Sequence, residues 1–321
     1  MKHTCSLFQS VIRQPKHCRQ GEYHACTGGL FFTRQIFSGG CVKQMKTDTG
    51  FVYNKMVRER KENQFMSEIV LEAKNMKKVY NYNTPNAFEA LHDINFQVHE
   101  GDFVAIMGPS GSGKSTFINN ISTIDLPTSG HVYINGREVR SMSSNEIGRF
   151  RFQNLGFIFQ DFNLLDTHTM FENIAMPLSL AHMDSDEIHK RVNELAGQMD
   201  ILQLLKKFPN ECSGGQRQRA AICRALVNHP RIIVADEPTG NLDSKNSSEL
   251  MNILQMLNRD YGVTIVMVTH DPLITSYSSR LIYIKDGNIE TVLDRENLTQ
   301  DEYFQKIVEI NSAESREILA A

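Results

Sequence analysis

Apolar positions along the chain follow two periods, one of two residues and one of three to four. Residues 69–73 read as a strand, and 94–98 alternate apolar and polar as a half-buried strand does. A turn at 99–102 leads into 103–107, an apolar run that predicts a buried strand. Further strands are predicted at 131–134, ending in an Asn135-Gly136 turn, and at 155–159. Apolar runs at 231–236 and 263–268 add two more buried strands. Helical spacing covers 116–121, 171–181, 214–227 and 247–257. Another helix opens at 184–187, with Ile188, Val192, Leu195, Ala196 and Met199 on one face. A hairpin over 282–291 turns at Asp286-Gly287, and the tail from Leu298 reads as a helix with Tyr303, Ile307 and Ile310 on one side. Strands alternating with helices imply an α/β fold with a largely parallel sheet covered on both faces.

The run Gly108-Pro109-Ser110-Gly111-Ser112-Gly113-Lys114-Ser115-Thr116 lies between a predicted strand and a predicted helix. It fits G-x-x-x-x-G-K-[ST], the phosphate-binding loop, in the context the motif requires. Its glycines let backbone N–H groups surround phosphate oxygens, and the following helix points its positive end at them. Lys114 is expected to reach the β- and γ-phosphates, and the Ser115 hydroxyl to hold Mg²⁺.

A second element is the apolar run that ends in Asp236-Glu237. An acid at a buried strand end places a carboxylate beside the phosphate-loop Mg²⁺, which is the expected role of Asp236. Glu237, one residue on, points elsewhere and is expected to orient and deprotonate the attacking water.

The third element, Cys212-Ser213-Gly214-Gly215-Gln216, opens a predicted helix. It resembles the signature of ATP-binding cassette (ABC) ATPases, usually Leu-Ser-Gly-Gly-Gln, with Cys212 in place of the Leu. That position is normally an apolar neighbour, and Cys is a small hydrophobe, so activity is expected to survive. The resemblance covers about residues 67–292. It implies a RecA-like P-loop NTPase fold with an antiparallel β subdomain and an inserted helical subdomain at about 161–229, within a cassette spanning 66–295. It also implies that Ser213 to Gln216 bind the γ-phosphate of an ATP held by a second copy of the chain, so that two copies sandwich two ATPs. Gln160 resembles the glutamine that contacts Mg²⁺ and senses the coupled partner. Asp243, in Asn241-Leu242-Asp243, resembles the residue across the dimer seam. His270 resembles the switch histidine on the γ-phosphate. Tyr80 resembles the aromatic that stacks on adenine, with Tyr82 as the alternative.

Composition narrows the setting. The chain has 321 residues, 22% of them charged and 40% hydrophobic. No apolar run approaches the ~20 residues of a membrane helix, so a membrane role runs through a partner. The six cysteines show no zinc or haem spacing, and a reducing cytoplasm fits them. Residues 1–65 carry a balance of +7 and the remainder −10. The acidic body argues against a nucleic-acid partner. Residues 1–65 keep no period and are read as a non-domain extension ending at Met66, an upstream region translated from a misplaced start. Residues 296–321 form a helical tail.

The stretches 155–165 and 235–245 resemble the subfamily of macrolide exporters, lipoprotein-release ATPases and bacitracin-type peptide-resistance transporters. The resemblance implies a separate integral membrane permease with an extracytoplasmic domain, and a place on the cytoplasmic face of the bacterial membrane. The tail resembles the antimicrobial-peptide resistance branch; an adjacent sensor histidine kinase would favour it over lipoprotein release or cell division. A soluble ABC clamp on nucleic acid usually needs two cassettes or a long coiled coil, which the chain lacks.

Overall fold

Two sheets form because the chain carries two kinds of strand. The computed structural model describes residues 68–320, the last seven by backbone alone; the N-terminal extension expected over 1–65 lies outside the described residues. Alternating strands build an antiparallel sheet: β1 (Ile69–Tyr80), β2 (Phe88–His99), β4 (Ser129–Ile134) and β5 (Arg137–Glu138), in the order β2-β1-β4-β5. One face buries Leu71, Ala73, Leu91, Ile94, Val132 and Ile134, and the other carries polar side chains.

Wholly apolar strands build the second sheet. These are β3 (Phe103–Met107), β6 (Leu155–Phe159), β7 (Ile232–Asp236) and β8 (Thr264–Val268), joined by β9 (Arg280–Lys285) and β10 (Asn288–Asp294). The order is β10-β9-β3-β8-β7-β6, parallel except for β10. β3 and β8 are buried at every position, as strands covered on both faces must be. Asp286 and Gly287 both have positive φ, which fits the tight turn between β9 and β10.

The helices are α1 (Lys114–Ile121), α2 (Ser144–Asn154), α3 (Met170–Leu180), α4 (Ser185–Gln198), α5 (Gly214–Leu226), α6 (Ser244–Tyr261), the short α7 (Pro272–Thr275) and α8 (Gln300–Ala320). One core joins both sheets through α1, whose Phe117 ring lies 4.8 Å from Phe96 of β2. Along α8, Tyr303 and Ile307 are buried against Met107, Leu281 and Tyr283.

Besides the short β5 and α7, which the sequence did not suggest, three features differ from the sequence-based expectation. β1 and β2 run far beyond 69–73 and 94–98, because their outward positions are polar and a bulge near Asn75 breaks the alternation. α2 has only Ile147 and Phe150 buried, too few to show a period; its Ser143–Glu146 capping box was the available signal. α6 starts at Ser244 rather than 247, since the Asp243 carboxylate accepts the Asn246 N–H as an N-cap.

Candidate functional site

The parallel sheet brings distant segments to one edge. Strands β3, β8, β7 and β6 are neighbours, and their register sets Ile106 and Asp236 opposite Val268, and Phe159 opposite Asp236. The residues that leave these strands therefore emerge level: Gly108 after β3, His270 after β8, Asp236-Glu237 at β7 and Gln160 after β6. The crevice outside the carboxyl ends of such strands is where ligands bind in open α/β sheets.

The phosphate loop follows β3. Gly108, Gly111 and Gly113 have positive φ. A Cβ on Gly108 would lie 1.9 Å from the Ile284 carbonyl oxygen, so only glycine fits there. Lys114 opens α1 and donates from Nζ to the carbonyl oxygens of Gly108 (2.9 Å) and Pro109 (2.6 Å). The Ser112 hydroxyl is buried without a hydrogen-bond partner among the described residues. Ser110, Gly111 and Ser115 are exposed. Thr116 Oγ1 lies 3.3 Å from the Tyr80 hydroxyl, which ties the β1 ring to the first turn of α1. Tyr82 is 62% exposed against 37% for Tyr80.

The acidic pair closes the other side. Burial pushes the Asp236 carboxyl above its ordinary range; adjacent Glu237 adds to the rise, and the Lys114 charge opposes it. Glu237 sits at φ +42, a conformation uncommon for a side-chain-bearing residue. Its N–H donates to the Val268 carbonyl at 2.9 Å, and its Oε1 lies 3.2 Å from His270 Nδ1. A hollow lined by Glu237, Gly240, Ser244, Ser247, His270 and Tyr277 opens beside the pair. Exposed Gln160 has its Nε2 3.5 Å from Asn241 Oδ1, and a Cβ on Gly240 would come within 2.8 Å of the same nitrogen.

Ser213 is the N-cap of α5. Its hydroxyl accepts the Gln216 N–H and its own N–H donates to Gln216 Oε1, a reciprocal cap. The N–H groups of Gly214 and Gly215 remain at the open, positive end of the helix. This end packs on α6: a Cβ on Gly215 would lie 2.9 Å from Asn246 Oδ1. Asp243 accepts both the backbone and side-chain N–H of Asn246, and the backbone bond first of all holds its carboxyl below the usual range. The Cys212 thiol is half-buried, and burial raises it.

Other residues join these parts and were not singled out in the sequence. Gln218 is buried and donates to the Pro238 carbonyl, tying α5 to the loop after Glu237. Arg224 donates to the carbonyls of Phe162 and Asn163, and Arg217 lies over the Phe162 ring at 5.8 Å. Both gripped residues have positive φ. α5 thus carries the Ser213 cap and also clamps the segment just after Gln160. Two arginines seven apart on one helix face were the only signal for this.

The ABC transporter family matches residues 91–240. The chain is 46% identical over 243 residues to the ABC transporter ATP-binding protein YxdL of Bacillus subtilis, covering 76% of this chain and 93% of that protein. It is 46% identical over 239 residues to the bacitracin export ATP-binding protein BceA of Halalkalibacterium halodurans, covering 74% and 94%. Among solved structures it resembles the dimeric post-hydrolysis state of the ATP-binding cassette MJ0796 bound to ADP and Pi. That match has a TM-score of 0.65 and 40% identity, and covers 71% of this chain and all of the other. At such identity across three quarters of its length, and with this fold, the chain belongs to the ABC transporter family as an ATP-binding subunit and is an ABC ATPase.

Proposed function

We propose that two copies of the chain close head to tail around two ATP molecules and drive a separate membrane permease in antimicrobial-peptide export or resistance. The observation that carries the ATPase mechanism is the level placement of Gly108, Gln160, Asp236-Glu237 and His270 on one sheet edge. In this reading residues 108–116 cradle the phosphates of one ATP. The buried, unpartnered Ser112 hydroxyl supports it, because such a group is costly unless a ligand satisfies it. Lys114 exchanges loop carbonyls for phosphate oxygens. Ser213, Gly214, Gly215 and Gln216 of the second copy present a helix N-terminus to the same γ-phosphate, and Asp243 lies along the seam. MJ0796, 40% identical, was solved as a dimer.

Glu237 takes a proton from the attacking water, while His270, held beside it, contacts the γ-phosphate. The donor set fits a magnesium ion: the exposed Ser115 hydroxyl, the Gln160 amide oxygen and the Asp236 carboxylate are hard oxygen ligands. Burial beside Glu237 leaves Asp236 lacking a full counter-charge. Bound there, the ion would neutralise charge on the transferring phosphoryl group. ATP binding closes the two copies and hydrolysis opens them, since the nucleotide is part of the seam.

Among the described residues no helix is long and apolar enough to cross a membrane. In this reading the permease is a separate polypeptide, and the chain sits against it on the cytoplasmic face. Between α2, β6, α3 and α5 runs a groove lined by Phe152, Phe157, Phe159, Pro177, Arg151 and Arg224. Its lining is mostly apolar, with Arg151 and Arg224 among it. It adjoins Gln160, so a permease segment seated there would feel the nucleotide state. The likeness to BceA favours peptides as the cargo or sensed ligand. A likeness to the macrolide export ATP-binding/permease protein MacB of Syntrophobacter fumaroxidans, 44% identical over 202 residues and covering 62% of this chain and 28% of that protein, keeps macrolide export as the second reading.

Co-expression with a candidate permease tests the assignment. Resistance to bacitracin-like peptides should rise and should vanish with Glu237→Gln. Resistance to macrolides alone would transfer the chain to the second reading.

A further inference from the structure

The geometry points to Lys78 as a positioning residue for the nucleotide base: a fixed cation beneath the Tyr80 ring that holds it as a platform and tunes its π-face for adenine. This rests on the reading of Tyr80 as the adenine-stacking residue and adds a partner to it.

Lys78 and Tyr80 are two apart on β1 and so share a face of the strand. The Lys78 ammonium lies over the Tyr80 ring, 5.2 Å from its centroid, within cation–π range. It is not a loose surface charge. Its side chain is 12% exposed and donates at 2.8 Å to both Asp125 Oδ1 and the Leu126 carbonyl. Asp125 in turn accepts the Leu126 N–H, and Thr128 bonds both backbone groups of Val79. The cation is thus pinned to the segment that follows α1. The Tyr80 hydroxyl reaches Thr116 Oγ1 in the first turn of the same helix.

The ring is held at two points, its hydroxyl by α1 and its face by Lys78. The first anchor lies in α1, which begins with Lys114, and the second is held by the segment that follows that helix. The platform is therefore set relative to the phosphate loop, although β1 lies in the other sheet. A cation on one face withdraws electron density from the ring. This strengthens stacking of an electron-rich purine on the opposite face. An isolated, exposed tyrosine would instead lose rotamer freedom on every binding event.

The test separates base from phosphate. Binding of MgATP and of magnesium tripolyphosphate, which has no base, is measured by calorimetry on the full chain and its variants. Lys78→Met should weaken MgATP by roughly three- to tenfold, the size of a partly buried cation–π contact, and leave tripolyphosphate unchanged. Lys78→Arg, which keeps the charge, should restore most of the loss. In a Tyr80→Ala background, Lys78→Met should cost nothing more for MgATP. Equal losses for both probes would mean a general disturbance of the phosphate loop and would overturn the proposal. So would unchanged MgATP affinity in Lys78→Met when Tyr80→Ala alone weakens it. If Tyr80→Ala itself leaves MgATP binding intact, the platform reading of Tyr80 fails and the proposal falls with it.

Discussion

His270 Nδ1 lies 3.2 Å from Glu237 Oε1, although 33 residues separate the two in the chain. A carboxylate only accepts, so the contact is a hydrogen bond in the tautomer that places the proton on Nδ1. Each side chain constrains the other. Glu237 is further held by its N–H bond to Val268 and by its left-handed backbone. Such an outlier persists only when its surroundings over-determine it, as they do here.

Glu237→Gln keeps the side-chain size and the contact to His270 but removes the proposed base. Turnover should fall by about 10²- to 10⁴-fold while ATP binding survives. Size-exclusion chromatography with MgATP should then show a trapped dimer. Turnover close to that of the unmodified chain would assign the base elsewhere.

Asp236 also bears on stability. Burial raises its folded-state pKa above the unfolded value, so the folded state binds the proton more tightly. Its contribution to stability is therefore full at low pH and declines as pH rises through the ordinary carboxylate range towards the raised value. Asp236→Asn should raise the melting temperature at neutral pH by about 2–4 °C for each kcal/mol relieved, and abolish hydrolysis. A lower melting temperature in calorimetry would contradict the burial argument.

Arg224 grips two successive carbonyls in a left-handed segment. Lysine keeps the charge but not the planar fork. Arg224→Lys should cost about 2 kcal/mol in denaturant unfolding, as one carbonyl loses its charged donor. It should also loosen the segment after Gln160 from α5, seen as faster hydrogen exchange over 161–165. An exchange pattern identical to that of the parent would remove Arg224 from this role.

Tyr303 anchors the tail. It is fully buried, and its hydroxyl donates to the Leu293 carbonyl at 3.3 Å and lies 3.5 Å from Ser278 Oγ. Burial pushes its pKa up to about 12 from 10.0. The folded state keeps this proton while the unfolded state loses it, so stability falls as pH rises from 10 towards 12. Tyr303→Phe should abolish that alkaline slope and cost about 1 kcal/mol at neutral pH. Tyr303→Ala should cost about 3–5 kcal/mol through the cavity it leaves. Unfolding curves across pH check both.

What the sequence determined by itself were the parts whose physics is local. The phosphate loop needs glycines and a lysine at fixed offsets from a strand and a helix, and residues 108–116 carry all of them. The runs of β3, β7 and β8 are apolar because both faces are covered, and that too is legible residue by residue. The outward polar faces of β1 and β2, and the thin apolar face of α2, hid those elements. Their burial is supplied by other segments rather than by their own pattern.

Only the tertiary structure decided which residues meet. Strand order sets Gln160, Glu237 and His270 level, and no local spacing encodes strand order. Lys78 beneath Tyr80 and Arg224 on Phe162 and Asn163 follow for the same reason. Each is a long side chain whose partner is chosen by packing between elements. Propensity and period describe how a segment folds on itself. They carry no information on which surface a charged side chain finds once the sheets and helices have docked.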